Sequence, residues 1–263
     1  MRMAVSSECF RREIPARMTV LQVPAWASSR GFDAVELAEA QLPAMTPEYR
    51  AELLRACDAA GVGIACLAVD TDFTVPEDDR RDAEMERVRR LLLEVAAPLG
   101  VPVVRVTMGQ ADASRAGDQR ALEAFRALVP DLDATGIALA LENHARVYTP
   151  PDKVEAIVAG VPITLFGSCL DFGSEPVDRR IVALEQLAPY ALHVHARSYA
   201  FAEDGEETTI DYRRSLAILK AFGYDGVLSV LYQGAGDTAQ GILATKALIE
   251  KHWFHPAMGR EAA

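Results

Sequence analysis

Short apolar runs and longer amphipathic runs alternate along the whole chain, and the alternation repeats eight times. The apolar runs predict strands at Met3–Ser7, Phe32–Leu37, Val62–Val69, Val103–Thr107, Ile137–Glu142, Ile163–Asp171, Ala191–Ala196 and Val227–Leu231. Helical patterning fills the intervals at Ile14–Arg30, Pro47–Ala60, Pro76–Leu99, Asp118–Thr135, Pro151–Ala159, Pro176–Ala188, Asp211–Phe222 and Asp237–Lys251. Local punctuation supports this reading. Thr46-Pro47-Glu48 is a cap followed by proline in a first helical turn, and Gly61, Gly100, Gly136 and Gly160 stand where helices should stop. Strands joined by helical crossovers run parallel, and eight such units in about 250 residues match the size of a (β/α)8 barrel. The expected fold is therefore α/β: a single (β/α)8 TIM barrel over residues 1–252 with a C-terminal tail at 253–263. A doubly wound sheet is the competing arrangement, weakened because no Gly-x-Gly-x-x-Gly follows the first strand.

At 263 residues and 50% hydrophobic, the chain can bury one full core. A formal net charge of −11 repels a phosphate backbone, and with no basic run or stripe the expectation is no nucleic-acid partner. Cys9, Cys57, Cys66 and Cys169 are widely spaced without a CxxC pair, which suggests buried thiols in a reducing compartment. The greasiest stretch, Leu91–Val106, is interrupted by Glu94, Pro98, Pro102 and Arg105, and Met1-Arg2-Met3 opens no signal-peptide core. These features imply no membrane partner and a cytoplasmic location, with a small-molecule substrate expected and homo-oligomerisation left open.

Barrel enzymes keep their chemistry at the C-terminal ends of the strands. Glu36, Glu142, Asp171, His195 and Leu231 all stand at such ends. Glu142 and His144 lie two apart, so on an extended chain they face the same way, as do His193 and His195. His195, nearer the mouth, is the better ligand of that second pair, and His193 reads as a hydrogen-bonded wall residue. Glu142, Asp171 and His195 supply two carboxylates and an imidazole, a set that suits Mn²⁺, Mg²⁺, Co²⁺ or Zn²⁺ with open positions for substrate. Arg197 can hold an anionic oxygen of a substrate, or form a rim salt bridge. Glu36 is a further substrate-contact candidate, though an ion pair with Arg105 across alternate strands is the plainer expectation. Gly234 and Gly236 offer a weak phosphate-cradle signal. Cys169 reads as core, and His252, Trp253 and His255 read as packing or contact surface.

Several stretches together resemble the sugar phosphate isomerase/epimerase family, the xylose isomerase-like TIM barrels. They are Gly31-Phe32-Asp33-Ala34-Val35-Glu36-Leu37, Leu99-Gly100-Val101-Pro102-Val103-Val104-Arg105-Val106, Glu142-Asn143-His144, His193-Val194-His195-Ala196-Arg197-Ser198-Tyr199, Ile210-Asp211-Tyr212 and Gly223-Tyr224-Asp225-Gly226. The resemblance covers nearly the whole chain. It implies a divalent metal held by a glutamate, an aspartate, a histidine and a second glutamate, the first three falling on Glu142, Asp171 and His195. The second glutamate of a Ser-Ile-Glu-Tyr-Glu-like segment is replaced here, in Ser229-Val230-Leu231-Tyr232-Gln233, by Leu231, and the lysine usual after the ligand histidine is Arg197. Leu231 removes one ligand and one proton carrier at once, so metal should bind weakly or not at all, and two-base epimerisation becomes hard.

What the resemblance leaves open is one-base chemistry on a small carbonyl or polyol substrate. That means an enediol shift on one face, or proton removal with loss of a β leaving group. Glu142 is then the expected base and His144 the acid or orienter. An apolar wall at Leu231 suits a substrate less hydroxylated than a simple sugar. The alternative is a metal-independent barrel, either an enzyme using its acids and histidines alone or a non-catalytic partner subunit. An endonuclease of the same fold would need a basic surface and more ligand histidines than the five present.

Overall fold

The computed structural model describes residues 1–43, 45–144 and 149–254. Strands β1 (Arg2–Ser6), β2 (Ala34–Ala38), β3 (Gly63–Ala68), β4 (Val103–Val106), β5 (Ala138–Glu142), β6 (Phe166–Asp171), β7 (Ala191–Ser198) and β8 (Val227–Tyr232) run parallel in sequence order. The circle closes where β8 pairs with β1. Each strand lies between a filled barrel interior and an outer ring of helices, which is why the strand segments are apolar runs rather than alternating ones. In β2, β5, β6 and β8 every residue is buried.

The helices are α1 (Val23–Ser28), α2 (Pro47–Ala60), α3 (Asp78–Arg90), α4 (Arg115–Ala127), α5 (Val129–Thr135), α6 (Pro151–Gly160), α7 (Arg180–Leu187), α8 (Tyr212–Ala221) and α9 (Thr238–Phe254). Caps act as the sequence suggests for α2: the Thr46 hydroxyl accepts from the Tyr49 N–H at 3.3 Å, and Gly61 ends the helix in the left-handed region at φ 67°. None of the described helices is long and apolar enough to cross a membrane.

Three expectations change. The helix expected over Ile14–Arg30 shrinks to α1, with proline at its first turn and only tight turns before it. Asp118–Thr135 splits at Leu128 into α4 and α5, because Pro130 has no N–H to continue the ladder and instead sits in the first turn of α5. Gly160 is not a left-handed cap but the last residue of α6. A Cβ there would stand 2.7 Å from Leu122 Cδ1 on α4, so glycine lets the two helices approach. His255 lies outside the described residues.

Register then decides which strand ends meet. Asp171 is level with His195, and Arg197 with Leu231. This places the acids, histidines and Arg197 at one mouth.

Candidate active site

A cavity of about 550 Å³ opens at the C-terminal mouth of the barrel, lined among others by Glu36, Glu142, His144, His195, Arg197 and Leu231. A more open groove of about 800 Å³ adjoins it. Asp70 and His144 line both.

The floor is a polar network. Glu36 Oε2 takes hydrogen bonds from His193 Nε2 at 2.7 Å and His195 Nε2 at 3.1 Å, and His193 Nε2 also lies 3.0 Å from Ser229 Oγ. The other ring nitrogen of His195, Nδ1, is 3.2 Å from Glu142 Oε1 and 3.6 Å from Asp171 Oδ2. Arg105 Nε stands 3.1 Å from Glu142 Oε2, and its Nη1 donates to Asp70 Oδ1 at 2.7 Å. Arg197 grips Asp171: its Nε donates to both carboxylate oxygens, at 2.9 and 2.8 Å, and its Nη2 also reaches Oδ2. Arg197 Nη1 bonds the side-chain carbonyl of Gln233, while Nη2 is 3.7 Å from Glu142 Oε1.

Backbone features fix this constellation. The Asp171 N–H is held by Asn143 Oδ1 at 3.1 Å, and Asp171 Oδ1 accepts from the Gly173 N–H at 2.7 Å. Gly173 is glycine for a spatial reason: a Cβ would lie 2.6 Å from Arg197 Cδ and 3.0 Å from the Tyr199 hydroxyl. In β2 a register shift falls between Val35 and Glu36, the kind of irregularity that re-aims a side chain.

The expected Glu36–Arg105 pair is not formed. Glu36 turns to the histidines of β7, and Arg105 pairs with Glu142 and Asp70. Gly236 is not an open cradle either, since its N–H donates to the Tyr232 hydroxyl at 3.1 Å. His252 pairs with Glu206, and Trp253 packs under the Lys220 ammonium. Cys169 is fully buried. Asp70 and Gln233 are site residues the sequence reading missed. Both sit just past strand ends, a position that carries weight only once the barrel's mouth is recognised.

Charge follows from these contacts. Burial opposes ionisation of Glu142, but Arg105, His195 and His144 overcome it and hold the carboxyl at about 2. Burial opposes ionisation of Asp171 too, and Arg197 and His195 keep it well below the usual carboxylate range. Burial also works against a charged His195, yet Cys169 and the carboxylates of Glu36 and Glu142 together outweigh it and raise the ring well above the ordinary histidine value. His144 is pushed down by burial, only partly offset by Glu142.

Glu142, Asp171 and His195 bring ligand atoms within 4.8 Å of one another, as do Glu36, Cys66 and His193. Donor type and spacing in the first group suit a divalent ion; the charges around it do not. Both Asp171 oxygens are engaged by a guanidinium, both Glu142 oxygens are faced by cations or an imidazole, and the fourth corner is leucine. The residues present do not fit a firmly held metal.

A xylose isomerase-like TIM barrel family model matches residues 24–252. Among curated proteins, a C-glycoside deglycosidase alpha subunit from Microbacterium trichothecenolyticum is 22% identical over 292 residues, covering 81% of this chain and 74% of that protein. Two sugar epimerases share the fold. D-psicose 3-epimerase from Clostridium cellulolyticum H10 has a TM-score of 0.76 and 16% identity, covering 97% of this chain and 99% of its own. A 3-keto-D-glucoside 4-epimerase from E. coli has a TM-score of 0.74 and 18% identity, covering 95% and 99%. With the closed barrel, the polar mouth and a family match spanning most of its length, this chain belongs to the xylose isomerase-like TIM barrel family.

Proposed function

We propose that this protein is a sugar-processing enzyme that removes a proton from the carbon beside a sugar ketone, on one face only. The observation that carries this reading is the asymmetry of the mouth. Glu142 and His144 line the cavity from β5 and the residues just past it, while β8 contributes Leu231 where a second acid–base group would be needed. Epimerisation by two bases requires both faces; elimination or an enediol shift requires one.

Within the pair, His144 is the better proton acceptor. Both Glu142 oxygens already face Arg105 and His195, and His144 stands where the closed cavity meets the open groove. Glu142 then holds the cationic side chains and the imidazole in register. Arg197 faces the same cavity and supplies the charge toward which a carbonyl oxygen is polarised.

The substrate class follows from chemistry read together with two relatives, one named for a 3-keto-glucoside and one for C-glycosides. In a 3-keto-glycoside the acidic C–H is at carbon 2. Breaking it leaves an electron pair that forms the C1–C2 double bond as the bond from carbon 1 to the aglycone breaks, and the aglycone departs with a proton. The sugar would occupy the closed cavity and the aglycone the adjoining groove. No step requires a metal.

The test is incubation with 4-nitrophenyl 3-keto-β-D-glucopyranoside in deuterated water. Nitrophenol release, or deuterium entering carbon 2 from one face, is expected. Neither label nor release would sink the reading. A second reading, a non-catalytic subunit of an assembly, is favoured by the relative's name as an alpha subunit. It predicts no turnover by the isolated chain and recovery on adding a partner.

A further inference from the structure

We propose that the guanidinium of Arg197 takes the place of the divalent cation in this barrel. The inference rests on the reading of the mouth given above, and deepens it by naming the group that receives the developing negative charge. Three independent features converge on it. Arg197 on β7 is level with Leu231 on β8, so the residue that would complete a ligand set is apolar beside the one that brings a positive charge. Arg197 spans both oxygens of Asp171 through Nε, and its Nη2 lies between the carboxylates of Asp171 and Glu142, two of the three candidate metal ligands. Finally, the chain makes room for it: Gly173 has no Cβ where one would collide with Arg197 Cδ, and Gln233 anchors Nη1 from the end of β8.

A planar guanidinium bound on one side by a carboxylate is a rigid donor. It neutralises Asp171, as a metal would, and remains on the cavity wall to bind a carbonyl or enolate oxygen. Adding a divalent ion would mean displacing that guanidinium from both oxygens of Asp171 in a buried ion pair.

Elemental analysis of protein purified without chelators, with Mn²⁺ calorimetry on wild type and on the Arg197→Met/Leu231→Glu double variant, tests the proposal without any substrate. Wild type is expected to carry substoichiometric metal, and its melting temperature should not change with EDTA. The double variant should bind Mn²⁺ about tenfold more tightly or better, the effect of an added anionic ligand and a removed competitor. If that variant fails to fold, Arg197→Met alone is titrated, and it too should bind Mn²⁺ more tightly than wild type. One tightly bound ion per wild-type chain, or no gain of affinity in the folded variant, overturns the proposal. Absence of turnover on the keto-glycoside would instead count against the proposed reaction and leave the metal result standing.

Discussion

At the scale of single residues, Glu142 and His144 should separate cleanly although they are two positions apart. Glu142→Gln removes one charge from a buried network and should lower unfolding stability by about 3–5 kcal/mol, because Arg105 keeps only the exposed Asp70 as a partner and His195 loses a facing carboxylate. His144→Asn should cost less stability in urea unfolding than Glu142→Gln while cutting carbon-2 proton exchange by about 10²–10⁴-fold, the usual range for loss of a general base. Loss of exchange in Glu142→Gln with unchanged stability, and full exchange in His144→Asn, would move the base to Glu142. Gly173→Ala tests the support beneath Arg197. Its Cβ would sit 2.6 Å from Arg197 Cδ, so a loss of about 1–3 kcal/mol is expected in urea unfolding. A variant as stable as wild type would show that Arg197 has room to shift. Glu36, Glu142, Asp171 and His195 are readable individually, because each ends an apolar run with an ionisable group, whereas Asp70 and Gln233 lie just past their strands. The pairing is not. Alternation reports which face a side chain takes on its own strand, but not which strand across the barrel it meets. Position alone therefore points Glu36 toward Arg105, whereas in the fold it meets His193 and His195.

At the scale of elements, the strands were legible because burial on both sides leaves an unbroken apolar run, and the helix stops were legible wherever glycine adopts positive φ, as at Gly61, Gly100 and Gly136. Proline is the element-level signal that sets the helix starts differently from the apolar pattern. Pro24 and Pro130 each sit in the first turn of a helix, so they mark where a helix begins rather than interrupt one already running. Gly160 shows the opposite ambiguity, a glycine at a helix end that serves packing against Leu122. The cap of α2 gives a direct check. Thr46→Ala removes the acceptor for the Tyr49 N–H and should cost about 0.5–2 kcal/mol in denaturant unfolding, with activity unchanged. A neutral substitution would mean that water replaces the hydroxyl there without loss.

At the scale of the whole molecule, the first and last units are tied together by more than the β1–β8 ladder. Arg12, just past β1, donates through Nη1 to Ala235 O at 3.0 Å and through Nη2 to Gly236 O at 2.8 Å, and Arg11 Nη2 reaches Gln233 O at 3.0 Å. Arg12→Ala should therefore raise amide hydrogen exchange selectively in the segment after β8, read by mass spectrometry, while strands β3 to β6 keep their protection. Uniformly faster exchange would mean that closure depends on the strap as a whole. The family match begins at residue 24, past β1, yet the barrel has no closure without that strand. The mouth network has a mechanical consequence as well. Contacts running from Asp70 through Arg105, Glu142, His195 and Glu36, and from Asp171 through Arg197 to Gln233, join the ends of strands β2 to β8. They act as the hoop of a cask, holding the staves at the rim, so that the end of the barrel where the cavity opens is also the end braced against splaying.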